Sequence, residues 1–240
     1  TQLFKPGAPM AIHHGSYPLD MRVGGEPPVV PAFSITTGMM NQMLRKYRIP
    51  IWSNAGFASS SKTIDYQAGY EKATGTLLSA LAGGHLHLFQ GGSCSELLYS
   101  PELSVMDDDV AGWVGRVLEG ANINDETLAV EVINKVGPVP GHYLGTAHTR
   151  EWWQKESYFP KVADAEDYAS WIDTGKRDML ARAKAKVQEI LTSHKPLPLT
   201  DEQEQALQDI LREAREFYRK RDLISDDEWS EYMRVIKEQG

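Results

Sequence analysis

Histidine and aromatic side chains recur at the ends of short apolar runs, and chemistry would start there. In His85-Leu86-His87-Leu88-Phe89 a two-residue period puts His85, His87 and Phe89 on one face and the leucines on the other. With the leucines against covering helices, the histidines point to the opposite side and Phe89 lies nearest the C-terminal rim. Two histidines one strand-step apart supply two of the three or four ligands that zinc takes. His13-His14 is the one other cluster, and no Cys-x-x-Cys or His-Glu-x-x-His motif supports a metal. Metal ligands are therefore expected to be none, and the imidazoles to hydrogen-bond a ligand or a neighbour. Ser93-Cys94-Ser95 and Ser59-Ser60-Ser61 hold nucleophile types without Gly-x-Ser-x-Gly. Turn chemistry explains both more simply. Gly24-Gly25 and Gly91-Gly92 lack any dinucleotide or P-loop pattern.

The aromatics carry more. Tyr17, Trp52, Phe57, Phe89 and Tyr99 fall at strand ends or in the loops that follow strands. In a parallel barrel those loops build the active site. Aromatic faces converging there hold an ammonium group by cation–π attraction. The plainer alternative is that each ring packs on its own loop. A carboxylate on the same ligand needs a cation or an imidazole, for which Arg22, His85 and His87 are the candidates.

The elements that position these residues alternate. Residues 9–14, 51–55 and 85–89 read as strands, and 33–47, 65–82 and 107–118 as helices. The first helix carries Met39, Met40, Met43, Leu44 and Tyr47 at helical spacing, with Ser34 or Thr36 as cap candidates. The second is capped by Asp65 and striped by Ala68, Tyr70, Ala73, Leu77, Leu78 and Leu81. The third opens on Asp107, Asp108 and Asp109, placed to favour the helix dipole. Such βαβαβα alternation argues for a parallel sheet and an α/β fold. Beyond residue 120 the strands stop, and helices are expected at 125–136, near 151–153, and at 164–173, 176–193, 200–219 and 225–238.

Composition narrows the classes. The chain has 240 residues with one cysteine, Cys94, so no internal disulfide is available and a reducing cytoplasm is expected. No apolar run reaches the roughly 18 residues of a membrane span. A net charge of −8 argues against nucleic acid as partner. Residues 1–120 hold 8 basic and 10 acidic side chains, and residues 121–240 hold 17 and 23, so the acidity is concentrated in the second half.

Several segments resemble the trimethylamine methyltransferase family. Ser61-Lys62 followed by Asp65-Tyr-Gln-Ala-Gly-Tyr-Glu-Lys-Ala73 is similar to that family's DSK-x-x-D-x-QAGYEKA signature. The likeness continues through Ser95–Asp109, Gly141–Leu144, His148-Thr149 and Ser170–Gly175. It also takes in Pro6–Pro9 and Asp20-Met21-Arg22, so it covers roughly residues 1–200. Ser60 stands where the signature has Asp, and His13-His14 replace smaller residues.

The resemblance implies the C-terminal part of a (β/α)8 TIM barrel over 1–150, with a helical C-terminal extension over 151–240. The barrel's N-terminal half would lie outside this chain. It also implies methyl transfer from a quaternary or tertiary methylamine to the cobalt(I) of a corrinoid carried by a cognate partner protein, with no cofactor held tightly here. No pyrrolysine occurs, and its loop would fall near Gly56-Phe57; this points to the branch that includes glycine betaine methyltransferases. In that reading Tyr17, Trp52, Phe57 and Phe89 line the amine site with Arg22, and His85 and His87 contact substrate. Glu96 takes the family's Ser-x-Glu position, as a catalytic group or as a cap on a loop amide. Pairing with an N-terminal half or with further copies is expected. The alternatives are a TIM-barrel hydrolase or lyase using the His pair, and a ligand- or partner-binding piece without turnover.

Overall fold

The computed structural model describes residues 4–13, 18–22, 24, 31–53, 56–88 and 91–239. Its order is β1 (Ile12–His13), α1 (Pro31–Lys46), β2 (Ile51–Ser53), α2 (Tyr66–Leu81), β3 (Leu86–His87), β4 (Gly92–Ser93), β5 (Leu98–Tyr99) and α3 (Pro101–Glu119). Helices follow: α4 (Asp125–Leu128), α5 (Val130–Val136), α6 (Ala147–Glu156), α7 (Tyr168–Asp173), α8 (Met179–Ser193), α9 (Asp201–Lys220) and α10 (Asp226–Gln239). The result is a mixed α/β chain, rich in helix. It divides into two compact units, 1–192 and 193–240.

Strands β1, β2 and β3 pair in parallel in that order. Parallel neighbours need long crossovers, and α1 and α2 supply them. The Asp65 carboxylate accepts the Ala68 N–H at 3.0 Å and starts α2 as expected. In α1 the helix begins at Pro31, whose missing N–H costs nothing in the first turn. Ser34 and Thr36 sit inside it, and the Thr36 hydroxyl donates to the Ala32 carbonyl.

The buried sides of α1 and α2 follow their apolar spacing only in part: Leu44 and Ala68 are buried as expected, and most of the other stripe residues are not. Phe33, Thr37, Asn41 and Leu44 are the buried residues of α1, while Met39, Met43 and Tyr47 are exposed. On α2 the buried residues are Ala68, Glu71, Lys72, Gly75, Thr76, Ser79 and Ala80, and Tyr70, Leu78 and Leu81 face out. Small and hydrogen-bonding side chains let the backbones approach closely. Asn41 Nδ2 donates to the Ser79 carbonyl at 3.1 Å, and the Ser53 and Ser79 hydroxyls share a hydrogen bond.

Helix α3 starts earlier than its acidic run suggests. Ser100 accepts the Leu103 N–H as N-cap and Pro101 fills the first turn. Asp107, Asp108 and Asp109 therefore lie in mid-helix, and the dipole does not account for them. Asp109 is buried and accepts from the Lys161, Val162 and Ala163 N–H groups at 2.6, 2.9 and 2.8 Å and from the Tyr158 hydroxyl at 3.0 Å. It fastens the segment after α6 to α3, beside an ion pair of Arg116 with Glu156.

Candidate functional site at the carboxyl edge of the parallel sheet

The strand register sorts side chains between two faces. His13 lies opposite Trp52, and Trp52 opposite Leu86, so imidazole, indole and isobutyl groups form a row across three strands. This face is open: Trp52 is 38% exposed and Leu86 57%. The His13 and Trp52 rings are tilted by 49° with centroids 5.2 Å apart. On the other face Ile51 and Ser53 are fully buried, and Ser53 pairs with His87.

This placement corrects the expected orientation of the His85–Phe89 strand. His87 points to the side covered by the helices, with Nε2 3.3 Å from the Gly84 carbonyl, and Leu86 takes the open side. Gly84 makes the room, since a Cβ there would come within 2.8 Å of the His87 ring. Burial pushes the His87 pKa below the ordinary imidazole value, which favours the neutral ring. Its Nδ1 is buried and has no hydrogen-bond partner among the described residues. His85 is exposed, and its Nδ1 accepts the Ile51 N–H at 3.3 Å. The two imidazoles make separate backbone contacts.

The loops after β2 and β3 are clamped together by α2. Lys72 Nζ, fully buried, donates to the Phe57 carbonyl at 2.8 Å and the Gly92 carbonyl at 3.3 Å, and pairs with Asp107 Oδ2 at 3.1 Å. The same carboxylate accepts the Gly91 N–H at 3.0 Å. The adjacent Glu71 accepts the Ser59 hydroxyl at 2.6 Å and the Ser60 N–H at 2.8 Å, and Gln67 donates to its other oxygen at 2.9 Å. Backbone bonds tie loop to loop: Ser59 N–H to Gly92, Cys94 N–H to Ser61, and Ser95 N–H to Ser59. Burial pushes the Asp107 carboxyl up to about 6, against the pull of Lys72 and the Gly91 N–H. Burial likewise lowers the Lys72 ammonium against the attraction of Asp107.

A β4–β5 hairpin follows β3. Its turn runs Cys94, Ser95 and Glu96 consecutively through left-handed backbone, with φ of 49°, 56° and 71°. Non-glycine residues adopt that region at a cost, so the flanking hydrogen bonds to Ser59 and Ser61 hold the turn in place. Glu96 is exposed at its tip.

The remaining expected site residues scatter. Phe57 is buried with Phe33 and Ala58, and Leu88 packs against them, so its ring belongs to the core and lines no open face. Arg22 forks onto Asp20 through Nε at 3.0 Å and Nη2 at 2.6 Å, and holds the Asp20 carboxyl at about 2. Tyr17 and Phe89 lie outside the described residues, as does His14. Tyr99 is exposed on β5. The sequence reading missed Glu71, Lys72, Asp107 and Asp109. The signal was a Glu-Lys pair flanked at helical spacing by Ala68, Gly75 and Thr76, a face too small to pack as an apolar stripe.

A short parallel sheet, with its carboxyl-end loops locked to one helix and an aromatic–imidazole row on its open face, is the frame on which α/β enzymes place a ligand site. Residues 1–217 match the family model described as trimethylamine methyltransferase (MTTB). The chain belongs to the trimethylamine methyltransferase family. It is 32% identical over 209 residues to the glycine betaine methyltransferase of Desulfitobacterium hafniense (strain Y51), covering 87% of this chain and 43% of that protein. To the trimethylamine methyltransferase MttB of Methanosarcina thermophila it is 31% identical over 199 residues, covering 83% and 41%. A second Desulfitobacterium hafniense relative, MttB of strain DSM 10664 / DCB-2, is 28% identical over 218 residues, covering 91% and 43%. The chain thus spans about two fifths of the length of the curated relatives it matches.

Proposed function

We propose that this chain is the C-terminal part of a (β/α)8-barrel methyltransferase acting on a quaternary or tertiary methylamine of the glycine betaine type, with the cobalt(I) of a partner-borne corrinoid as methyl acceptor. Residues 1–150 are the barrel portion in this reading and 151–240 the helical extension, in a cytoplasmic enzyme. The carrying observation is the half-exposed Trp52 indole beside His13 on the open face of the parallel sheet. A permanent cation is attracted to an indole face and needs no anionic partner there. Tyr17 and Phe89 belong to the same proposed lining by their positions in the sequence.

The acceptor supplies the nucleophile. The chain's own residues align the ammonium and exclude water from the methyl group. A neutral tertiary amine leaves from a quaternary substrate, so that step moves no proton; a tertiary amine would react as its protonated ammonium, so that a neutral secondary amine leaves with the proton. That suits a site whose half-buried histidine, His87, favours its neutral form and is turned away from the open face. An imidazole of the open face or Arg22 is the proposed partner of a substrate carboxylate, and Glu96 at the hairpin tip the proposed rim contact.

The test uses a protein of the relatives' full length with cobalt(I) corrinoid and, in turn, glycine betaine, trimethylamine and carnitine. The methylcobalamin spectrum should grow with at least one of them. Trp52→Ala should weaken amine binding, measured by calorimetry, by about 2- to 30-fold. No methylation with any amine would sink the proposal, and an unchanged affinity would remove Trp52 from the site. Stoichiometric zinc in the purified protein, with hydrolase activity, would favour the alternative enzyme class.

A further inference from the structure

The row across the open face of the parallel sheet has a single polar member. His13, Trp52 and Leu86 stand side by side on β1, β2 and β3 by strand register. His13 is exposed, and its ring centroid lies 5.2 Å from that of Trp52 with the planes tilted by 49°. Rings tilted in this way are not sealed face to face, so one ligand can touch both. The other groups suited to a carboxylate are engaged or turned away. Arg22 forks onto Asp20 at 3.0 and 2.6 Å. His85 Nδ1 accepts the Ile51 N–H at 3.3 Å, and His87 lies on the helix side with Nε2 3.3 Å from the Gly84 carbonyl. An imidazole carries an N–H in either charge state, so it donates to a carboxylate whether neutral or protonated.

The spacing of the two rings limits the length of ligand that can use both. With bonds of about 1.5 Å, an ammonium nitrogen one carbon from a carboxylate lies about 3 Å from its nearer oxygen. A hydrogen bond of about 2.8 Å from the imidazole then sets the ammonium about 6 Å from the donor nitrogen. An indole one ring away meets it there, within the about 6 Å reach of cation–π attraction. A three-carbon link, as in carnitine, spans roughly 6 Å when extended. It carries the ammonium toward the far rim of the indole unless the ligand folds, and folding costs conformational freedom. An amine without a carboxylate touches Trp52 alone.

We infer that His13 is the specificity-determining residue of the amine site. It hydrogen-bonds the substrate carboxylate while Trp52 holds the ammonium. The pair thereby selects an α-betaine, a quaternary ammonium one carbon from its carboxylate, over longer betaines and over amines without the acid. This rests on the reading of Trp52 as the amine-binding ring, and adds to it the residue and the spacing that choose among amines.

Calorimetry on the protein of the transfer assay tests it, with glycine betaine, choline and carnitine as probes. Choline keeps the quaternary head and lacks the carboxylate. Glycine betaine should bind at least about tenfold tighter than either of the others. His13→Ala should weaken glycine betaine by about 10- to 100-fold, the worth of a hydrogen bond to a charged group. It should change choline by less than about twofold, as for a surface substitution outside any network. His13→Gln keeps an N–H donor and should retain more affinity for glycine betaine than His13→Ala. Circular dichroism checks that both variants keep their fold. Unchanged glycine betaine affinity in His13→Ala, with a loss in Trp52→Ala, overturns this inference and leaves the amine site standing. An equal loss for choline overturns it too, because His13 would then only buttress the indole. So does carnitine bound as tightly as glycine betaine, or a glutamine variant no better than alanine. No binding of any of the three by the wild type removes the amine site, and this inference falls with it.

Discussion

The two faces of the β1–β2–β3 sheet obey different rules. Behind the sheet the charged groups are matched, Lys72 by two carbonyls and Asp107, and Glu71 by Ser59, Ser60 and Gln67, while Asn41 donates to Ser79 and leaves its Oδ1, like Thr37 Oγ1 and His87 Nδ1, without a partner among the described residues. In front of it stand Trp52, His13 and Leu86, partly open to water. Charge lies inside, then, and apolar surface outside. A fold built for stability alone would reverse that arrangement, because burying ions costs desolvation and leaving apolar surface wet forgoes burial. The polar interior serves geometry: it fixes two loops against one helix, and the open face carries the groups suited to a cation.

The largest break in that contrast comes from Lys72→Met. It leaves Asp107 buried without its counter-charge, which should destabilise the chain by about 3–5 kcal/mol in urea unfolding. Lys72→Met/Asp107→Leu should recover much of the loss, because the uncompensated charge is gone. A double variant no better than the single would show that the backbone bonds of Lys72, and not the ion pair, hold the loops.

Asp109 sharpens the comparison within α3. Asp109→Ala strands three N–H groups and the Tyr158 hydroxyl and should cost at least about 2 kcal/mol. The pH dependence of stability separates it from Asp107, two residues away. For Asp109, burial raises the carboxyl, but the Lys161, Val162 and Ala163 N–H groups and Tyr158 leave it below the ordinary 3.8. Its stabilisation is therefore present above pH 3.8 and lost as pH falls through its lowered folded value. Asp107 is raised from 3.8 to about 6. Its titration stabilises the fold fully below pH 3.8, and that contribution disappears as pH rises through about 6. Asp107→Asn should flatten the stability profile between those two values, and Asp109→Asn the acid side below 3.8. Identical profiles for the two variants would contradict the opposed shifts.

The smallest effect belongs to the open face. Trp52→Ala should change unfolding stability by less than about 1 kcal/mol, the range of a partly exposed side chain away from a network. A loss comparable to that of Lys72→Met would mean that Trp52 is core.

Local signals in the sequence located most elements. Asp65 capped α2, the breaks at Pro50 and Gly83 bounded β2 and α2, and the helices after residue 147 lay close to their expected spans. What escaped was set by tertiary contact. Ala129 in left-handed backbone divides α4 from α5 with no glycine or proline to announce it. The Asp107–Asp109 run has the composition of a helix start, and only Ser100-Pro101 upstream shows otherwise. The apolar spacing of α1 and α2 found Leu44 and Ala68 but not the hydrogen-bonding residues of the buried sides, such as Asn41 and Ser79, whose partners lie far along the chain. Of the expected site, Trp52 is at the open face, while His87 and Phe57 turned inward for reasons that depend on Gly84 and Phe33.

The clamp at Lys72 has a mechanical meaning. Because Cys94 and Ser95 hang from Ser61 and Ser59, and Phe57 and Gly92 from one ammonium, the loops after β2 and β3 form a single plate seated on α2. A ligand that touches either loop meets a surface whose ordering entropy was lost at folding, before any encounter. Pulling on the hairpin tip at Glu96 would pull on Ser59 as well.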